Sequence, residues 1–250
     1  MGRYRIVDGE KVSFVYLNEN HAFINTDGTT YPQYQWEAGP DRLVLTYQRG
    51  SSTFTTFERA GVYSRRKTEG GMIRMEKLPA LPPAETIVFG DEHVVASLLF
   101  TETIQSNHLA LANIEGDGAI QTAVMEGQPC YQLARQRNRM SAFLYARIAP
   151  ELKQEPFTNA FITVEYFDVA MRDAMNGWIS LQYDGKDGPY ASTCQQVRLS
   201  GSMTWERATF VLDAPVFEGR ETDGADFRLC LAESKLPIRA LKLVKNRALP

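Results

Sequence analysis

Apolar and polar residues alternate along most of the chain with a period of two, the pattern of a half-buried β-strand. In the N-terminal part this alternation, interrupted by turn sequences such as Asp27-Gly28, predicts strands at 11–17, 21–25, 31–37, 42–48 and 53–59. It continues in the remainder of the chain, where it predicts strands at 86–89, 94–100, 109–113, 121–125, 130–133, 142–148, 161–167, 178–183, 195–199, 206–212, 227–231 and 240–244. A short turn at 150–155 is the helical element that the pattern suggests.

A proline cluster separates the two groups of strands. The sequence LPALPPA at 78–84 has three prolines in seven residues, and proline cannot donate a hydrogen bond to a central strand. We therefore predict an all-β protein with a small β-meander domain at 1–78, a Pro-rich linker at 79–84 and a jelly-roll β-sandwich at 85–250. The alternative is that the proline segment is a loop lying across one continuous sheet.

Charge and hydropathy exclude some classes of partner. The 250 residues carry 27 Lys and Arg against 30 Asp and Glu, a net charge of −3, so we expect no nucleic acid, which needs a basic surface. No apolar run reaches the roughly 18 residues of a membrane helix, and we expect no membrane span. The first residues lack the apolar segment of a signal peptide, which predicts a cytoplasmic protein or a region excised from a larger one.

Metal-binding and nucleophile motifs are missing from the sequence. Cys130, Cys194 and Cys230 are widely spaced and form no CxxC pair, which predicts reduced, buried thiols. One disulfide with a free thiol is the alternative, and it requires an oxidising compartment. We expect no cofactor, although the acidic turns at 184–187 and 223–226 could hold a structural calcium through oxygen ligands.

Four ordered stretches resemble a known family. They read VEYFD at 164–168, LQYD at 181–184, GSMTWERATFVL at 201–212 and ADFRL at 225–229. In order and spacing, residues 100–245 resemble the galactose-binding-like β-sandwich domains, which often act as carbohydrate-binding modules beside glycan-processing enzymes. The resemblance implies a sandwich fold and a glycan or oligosaccharide as the partner. The N-terminal strands show no comparable match.

A candidate sugar site lies in the segment 171–190. Sugar rings have apolar faces and many hydroxyl groups, so they bind to flat aromatic rings flanked by hydrogen-bonding side chains. Alternation sends Trp178 to the polar face of its strand, where it would be a platform, with Arg172, Asn176 and Tyr190 on the surrounding loop. The alternatives are a Trp178 packed under a loop or a neighbouring domain and a Tyr190 ring that is packed with its hydroxyl in water.

Other aromatic and charged residues have two interpretations each. Trp205 is interpreted as structural, covering one end of the sandwich. Arg228 alternates outward from its strand, where it could bind a carboxylate or sugar hydroxyl, or form a cross-strand salt bridge. Tyr34 and Trp36 share a strand face and could line a second groove or belong to the core of the small domain.

These observations favour binding over catalysis. A glycosidase needs two carboxyl groups flanking one bond, and nothing in the sequence places Glu165, Asp168, Asp184 or Asp187 as such a pair. We predict a non-catalytic glycan-binding protein, an accessory region of a glycan-processing or glycan-assembly protein that could contact other domains of a larger chain. The alternatives are a polysaccharide-active enzyme that uses the sandwich as a scaffold and a protein–protein interaction module.

Overall fold

The structure is a computed structural model, and the chain divides into two compact units, Met1–Leu81 and Pro82–Pro250. The structure describes residues 2–8, 11–17, 22–26, 29–38, 42–47, 50–57, 59–66, 72–78, 81–112, 117–136, 141–169, 177–232 and 235–249.

The first unit is a closed barrel of eight antiparallel strands in which each strand pairs with the next along the chain and the last pairs with the first. The strands are β1 (Gly2–Asp8), β2 (Lys11–Leu17), β3 (Ala22–Thr26), β4 (Thr29–Ala38), β5 (Arg42–Tyr47), β6 (Gly50–Phe57), β7 (Arg59–Arg66) and β8 (Met72–Lys77). Tyr4, Leu43, Leu45 and Met75 form a buried cluster.

Sequence analysis missed β1, β7 and β8. In β1 and β8 basic residues stand between the apolar ones, as in RYRIVD and MIRMEK, and β7 (RAGVYSRR) begins and ends with arginine. These basic residues lower the apolar content that marks a strand. The barrel still needs them, because closure requires β8 to pair with β1 and each strand buries only one face.

The second unit contains two sheets. The seven-stranded sheet consists of β9 (Val94–Phe100), β10 (Ile104–Asn107), β12 (Ala119–Met125), β13 (Gln128–Ala134), β15 (Asn159–Phe167), β18 (Trp205–Asp213) and β20 (Lys235–Lys245). The five-stranded sheet has the order β11 (Leu109–Ala112), β14 (Ala142–Ile148), β19 (Phe227–Leu231), β16 (Trp178–Gly185), β17 (Gly188–Arg198).

The core of this unit lies between the two sheets. Along β16, Ile179, Leu181 and Tyr183 point into it, and along β19, Phe227 and Leu229 do so. Because successive side chains of a strand point to opposite faces, the residues between them project away from the core. The predicted all-β class, with its β-sandwich, is confirmed.

Helical structure in the described residues is limited to four 3-10 turns, at Ala84–Thr86, Asp91–His93, Pro150–Lys153 and Thr222–Gly224. The third of these confirms the short turn predicted at 150–155. None of the helices in the described ranges is long and apolar enough to span a membrane.

The strand predicted at 86–89 is wrong, because the chain there forms a strap across the sandwich. Thr86 donates from its backbone N–H and its hydroxyl to the Pro83 carbonyl, at 3.0 and 2.8 Å, and this closes a turn rather than a ladder. Ile87 is buried, and the Phe89 ring lies 4.7 Å from that of Phe161. The apolar run at 86–89 therefore reflects packing onto the sandwich.

Gln195 fastens this strap to the sandwich. Its Nε2 donates to the Pro82 carbonyl at 2.8 Å, and its Oε1 accepts from the Val211 backbone N–H at 2.7 Å. One buried side chain of the five-stranded sheet thus satisfies backbone groups of the strap and of β18 in the other sheet.

We expect Gln195→Ala to lower the free energy of unfolding by about 1–3 kcal/mol, because it leaves buried backbone groups without their partners. Urea unfolding of the whole chain measures this. Gln196→Ala, at the neighbouring half-buried position, is the matched control and is expected to cost less. Equal stability of the two variants would contradict the role assigned to Gln195.

The two cysteines whose side chains the structure describes are buried, unpaired thiols, as the sequence predicted. Cys130 and Cys230 are buried and free, and burial raises the pKa of both thiols, that of Cys230 to about 11. The side chain of Cys194 lies outside the described part.

We expect all three cysteines to react with a thiol reagent in denaturant without reductant, and Cys130 and Cys230 to be unreactive in the folded protein. Buried, protonated thiols are poor nucleophiles. Quantitative thiol titration before and after unfolding checks both statements, and fewer than three thiols in denaturant would indicate a disulfide.

Candidate functional site

The outer face of the five-stranded sheet carries a row of side chains that runs across four strands. Tyr145 on β14 pairs with Arg228 on β19, Arg228 pairs with Gln182 on β16, and Gln182 pairs with Ser192 on β17. Each of these residues alternates with side chains of the core, so the row projects away from the sandwich interior. Tyr145, Gln182 and Arg228 are nevertheless buried, and Ser192 is half-buried. We call these four residues the polar row.

Arg228 is the centre of the polar row and is only 7% exposed. Its Nε donates to Gln182 Oε1 at 2.6 Å and its Nη1 donates to the Tyr145 hydroxyl at 2.9 Å. The guanidinium carbon lies 4.2 Å from the centre of the Phe143 ring and 4.3 Å from that of Tyr190. Stacking and hydrogen bonds together hold this planar cation in one orientation.

The row continues beyond Arg228 through hydrogen bonds of Tyr145 and Cys230. The Tyr145 hydroxyl donates to Asp117 Oδ2 at 2.8 Å, and burial raises the pKa of Tyr145 to about 12, so this phenol stays protonated. At the other side, the Cys230 thiol donates to Gln182 Oε1 at 3.4 Å. Every link is a fixed donor–acceptor pair, which makes the surface rigid.

Tyr190 closes one end of the row. Its backbone φ is 61°, in the left-handed region that bulky residues rarely adopt. Its hydroxyl lies 2.6 Å from the Thr222 hydroxyl and accepts from the Thr222 backbone N–H at 2.9 Å. We call this pair the Tyr190–Thr222 clasp.

Glu221 lies beside the clasp and is 3% exposed. Its Oε1 accepts from the Tyr190 backbone N–H at 3.3 Å, while its buried Oε2 has no hydrogen-bond partner. Burial raises the pKa of Glu221 from its ordinary value to about 8, against the opposing charge of Arg228. The side chain is therefore a neutral acid at neutral pH.

The structure places two of the four predicted site residues on this face. Trp178 is half-buried at the start of β16, opposite Arg198 of β17, and Tyr190 stands at the beginning of β17. Arg172 and Asn176 lie outside the described residues. Tyr190, which was expected on the loop around Trp178, therefore lies in a strand.

The other aromatic candidates lie elsewhere. Trp205 is on the seven-stranded sheet, where its ring meets Phe167 edge-on at 5.5 Å and Arg239 stacks on it at 4.6 Å, in agreement with its structural interpretation. Tyr34 and Trp36 are in β4, whose side chains lie outside the described part.

The acidic residues of the family-like stretches hold turns together. Asp168 accepts from the backbone N–H groups of Ser200, Gly201 and Ser202, each at 3.1 Å. This contact joins the VEYFD stretch to the segment that begins the GSMTW stretch. These donors hold the pKa of Asp168 below its ordinary value, although burial alone would raise it.

The two acidic turns considered for calcium use their carboxylates in the same way. Asp184 accepts from the backbone N–H groups of Glu218 and Arg220 and from the Arg220 guanidinium. Asp226 accepts from the Ile148 N–H and from Lys153. In the described ranges, His, Cys, Asp and Glu side chains form no group of three that could hold a metal ion.

Sequence reasoning missed four members of the site: Phe143, Tyr145, Gln182 and Glu221. The first three could have been found from alternation, since they stand between core residues of their strands. No local signal marks Glu221, which reaches the site from the turn before β19.

Comparison with known proteins adds information on the fold alone. No protein-family model and no curated protein matches the chain. Three solved structures are similar to the chain. A xylan-binding domain of family 22 has 14% identity and a TM-score of 0.40, and the match covers 64% of this chain and 100% of that one. A family 6 module of a Cellvibrio mixtus lichenase in complex with cellotriose has 10% identity and a TM-score of 0.32, with coverages of 62% and 99%, and a tandem of two family 22 modules from Paenibacillus barcinonensis has 10% identity and a TM-score of 0.40, with coverages of 99% and 79%. All three are carbohydrate-binding modules, the class of domain that residues 100–245 resemble in sequence.

Glu165, one of the carboxylates weighed for catalysis, belongs to an ion cluster on the seven-stranded sheet. Lys242, Arg239 and Arg207 each approach its carboxylate at 3.0 Å. Burial alone would raise the pKa of Glu165, but its hydrogen bonds to Lys242 and Arg239 and the charge of Arg207 hold it below 4.5, its ordinary value. The carboxylate is thus a structural anion.

We expect Glu165→Gln to lower the free energy of unfolding near pH 7 by about 1–3 kcal/mol. The lowered pKa means that the carboxylate stabilises the fold above its unfolded pKa and loses this effect as the pH falls through the folded value. Urea unfolding near pH 7 and near pH 3 should therefore show that the difference in free energy of unfolding between the variant and the parent is smaller at the lower pH. Glu206→Gln, at an exposed position of β18, is the control, and a pH-independent difference at 165 would contradict the assignment.

Proposed function

We propose that the outer face of the five-stranded sheet binds a glycan. The observation that carries the proposal is Arg228, a buried cation held between the Phe143 and Tyr190 rings at 4.2 and 4.3 Å on a sheet face turned away from the core. The hydrogen bonds to Gln182 and Tyr145 and the two rings hold the guanidinium in one orientation. A fixed orientation beside aromatic rings is what hydroxyl recognition requires.

The chemistry of the face suits a neutral oligosaccharide. The half-buried Trp178 supplies a flat apolar surface for the face of a sugar ring. Tyr145, Gln182 and Arg228 are buried, so the polar row offers its amide, guanidinium and hydroxyl groups to ring hydroxyls when the Tyr190 ring over Arg228 moves aside. Trp178 and Gln182 are separated by about 13 Å along β16, which exceeds the width of one sugar ring. The ligand is therefore an oligosaccharide or a segment of a polysaccharide.

A binding role without hydrolysis is supported by the state of the carboxyl groups. In the described residues, Glu221 Oε2 is the buried carboxyl oxygen that has no partner, whereas glycosidases use a pair of carboxyl groups. The chain accordingly acts as an accessory region of a glycan-processing or glycan-assembly protein. Xylan and cellotriose, the ligands named for the similar modules, are the first probes.

We expect Trp178→Ala to weaken binding of xylohexaose or cellotriose by about tenfold or more, because loss of an aromatic platform removes about 1–3 kcal/mol. Isothermal titration calorimetry measures the affinity, and circular dichroism checks that the variant is folded. Trp205→Ala is the matched control: it removes the same side chain from the other sheet and should leave the affinity unchanged.

Two results would contradict the proposal for this face. A folded Trp178→Ala protein that binds as tightly as the parent places the site elsewhere, with Trp36 and Tyr34 as the next residues to test. An unfolded Trp178→Ala protein shows that Trp178 belongs to the core, and Arg228→Met then tests the same face independently.

A further inference from the structure

Glu221 has an unsatisfied hydrogen-bonding capacity that the fold does not explain. The residue is 3% exposed, and its Oε2 is buried without a hydrogen-bond partner. Buried polar atoms in native proteins are nearly always paired, and an exception calls for a specific explanation such as a functional role. The remaining oxygen makes one contact, to the Tyr190 backbone at 3.3 Å.

Tyr190 covers Glu221 and is held there by contacts at its backbone and at the tip of its ring. Tyr190 has a left-handed backbone at φ 61°, a conformation that stores strain in a residue with a bulky side chain. Its ring is fastened at the tip to Thr222, which is exposed. Breaking the contacts of the Tyr190 hydroxyl would free the ring to turn away from Arg228 and give a ligand access to Glu221 and to the Arg228 guanidinium.

The groups facing Glu221 set its charge. Arg228 of β19 and the Tyr190 backbone N–H of β17 lower its pKa, whereas Asp184 of β16 and Asp226 raise it. Burial outweighs the favourable contacts and gives a value of about 8. Oε2 therefore carries a proton at neutral pH and is a hydrogen-bond donor.

We infer that Glu221 is a specificity-determining residue, whose Oε2 donates a hydrogen bond to a hydroxyl or ring oxygen of a neutral sugar when the Tyr190–Thr222 clasp opens. This inference rests on the proposed function and adds one subsite to it. The oxygen acceptor belongs to a sugar unit bound at the Tyr190 end of the face, at the opposite end from Trp178.

The pH dependence of the ligand affinity distinguishes a binding role of Glu221 from a purely structural one. A ligand that accepts the proton of Glu221 binds fully below about pH 8, and its affinity then falls by up to about tenfold per pH unit as the carboxyl ionises. Glu221→Gln keeps a donor and an acceptor but does not titrate, so its affinity should not change with pH. Glu221→Met keeps the volume without the hydrogen bond and should lose about tenfold or more in affinity near neutral pH.

The experiment is calorimetric titration of the whole chain with xylohexaose and cellotriose near pH 6.5 and pH 9.5, for the parent, Glu221→Gln and Glu221→Met. Glu218→Gln, an exposed residue in the same turn, is the matched control and should behave as the parent does. In parallel, NMR of carboxyl-labelled glutamate follows the ionisation of Glu221 in the parent without any ligand.

The outcomes separate this inference from the proposed function. Parent protein that binds neither probe overturns both proposals. Parent protein that binds equally at the two pH values, or a Glu221→Met protein that binds as tightly as the parent, overturns only the role of Glu221. An NMR midpoint near the ordinary glutamate value also overturns it, even if the Met variant does not fold.

Discussion

The structure depends on one constraint, the packing of alternate residues of the five-stranded sheet against the other sheet. Ile179, Leu181 and Tyr183 on β16 are buried between the sheets with Leu229 on β19, and a shift of either strand by one residue would turn this apolar set toward solvent. The pairing is therefore fixed, and so is the direction of every residue between them. The core behind them brings Arg228 and its neighbours to one face, whatever contacts these residues make with one another.

That fixed face is reinforced at the strand ends. Asp184, which ends the LQYD stretch, accepts backbone hydrogen bonds from the turn at Glu218 and Arg220, and its own N–H donates to Asp226. The turn leads directly into Glu221 and the clasp. A carboxylate that the sequence offered as a possible calcium ligand thus holds the backbone of the turn that leads to Glu221.

The sequence predicted the sandwich because this fold depends on the alternation of apolar and polar residues within each strand, which is a local pattern. The positions of Trp178 and Arg228 on the outer face followed from the same rule. The strand at 86–89 was wrong, because its apolar residues pack as a strap held by Gln195, more than a hundred positions away in the chain. Glu221 was missed for a similar reason: its place beside Tyr190 depends on a turn fastened to Asp184, and no pattern within a window of ten residues encodes that contact.

Two buried glutamates show how the sandwich uses its two outer faces differently. Glu165 is approached by three cations at 3.0 Å, which offset the loss of hydration and hold its pKa low. Glu221 has one cation near it and the carboxylates Asp184 and Asp226 besides, so burial prevails and the acid stays neutral. The Glu165 carboxylate, paired with three cations, stabilises its sheet and has its hydrogen bonds taken up within the chain. Glu221 lacks such compensation and has one unpaired oxygen, which is the atom that our proposal assigns to a bound sugar.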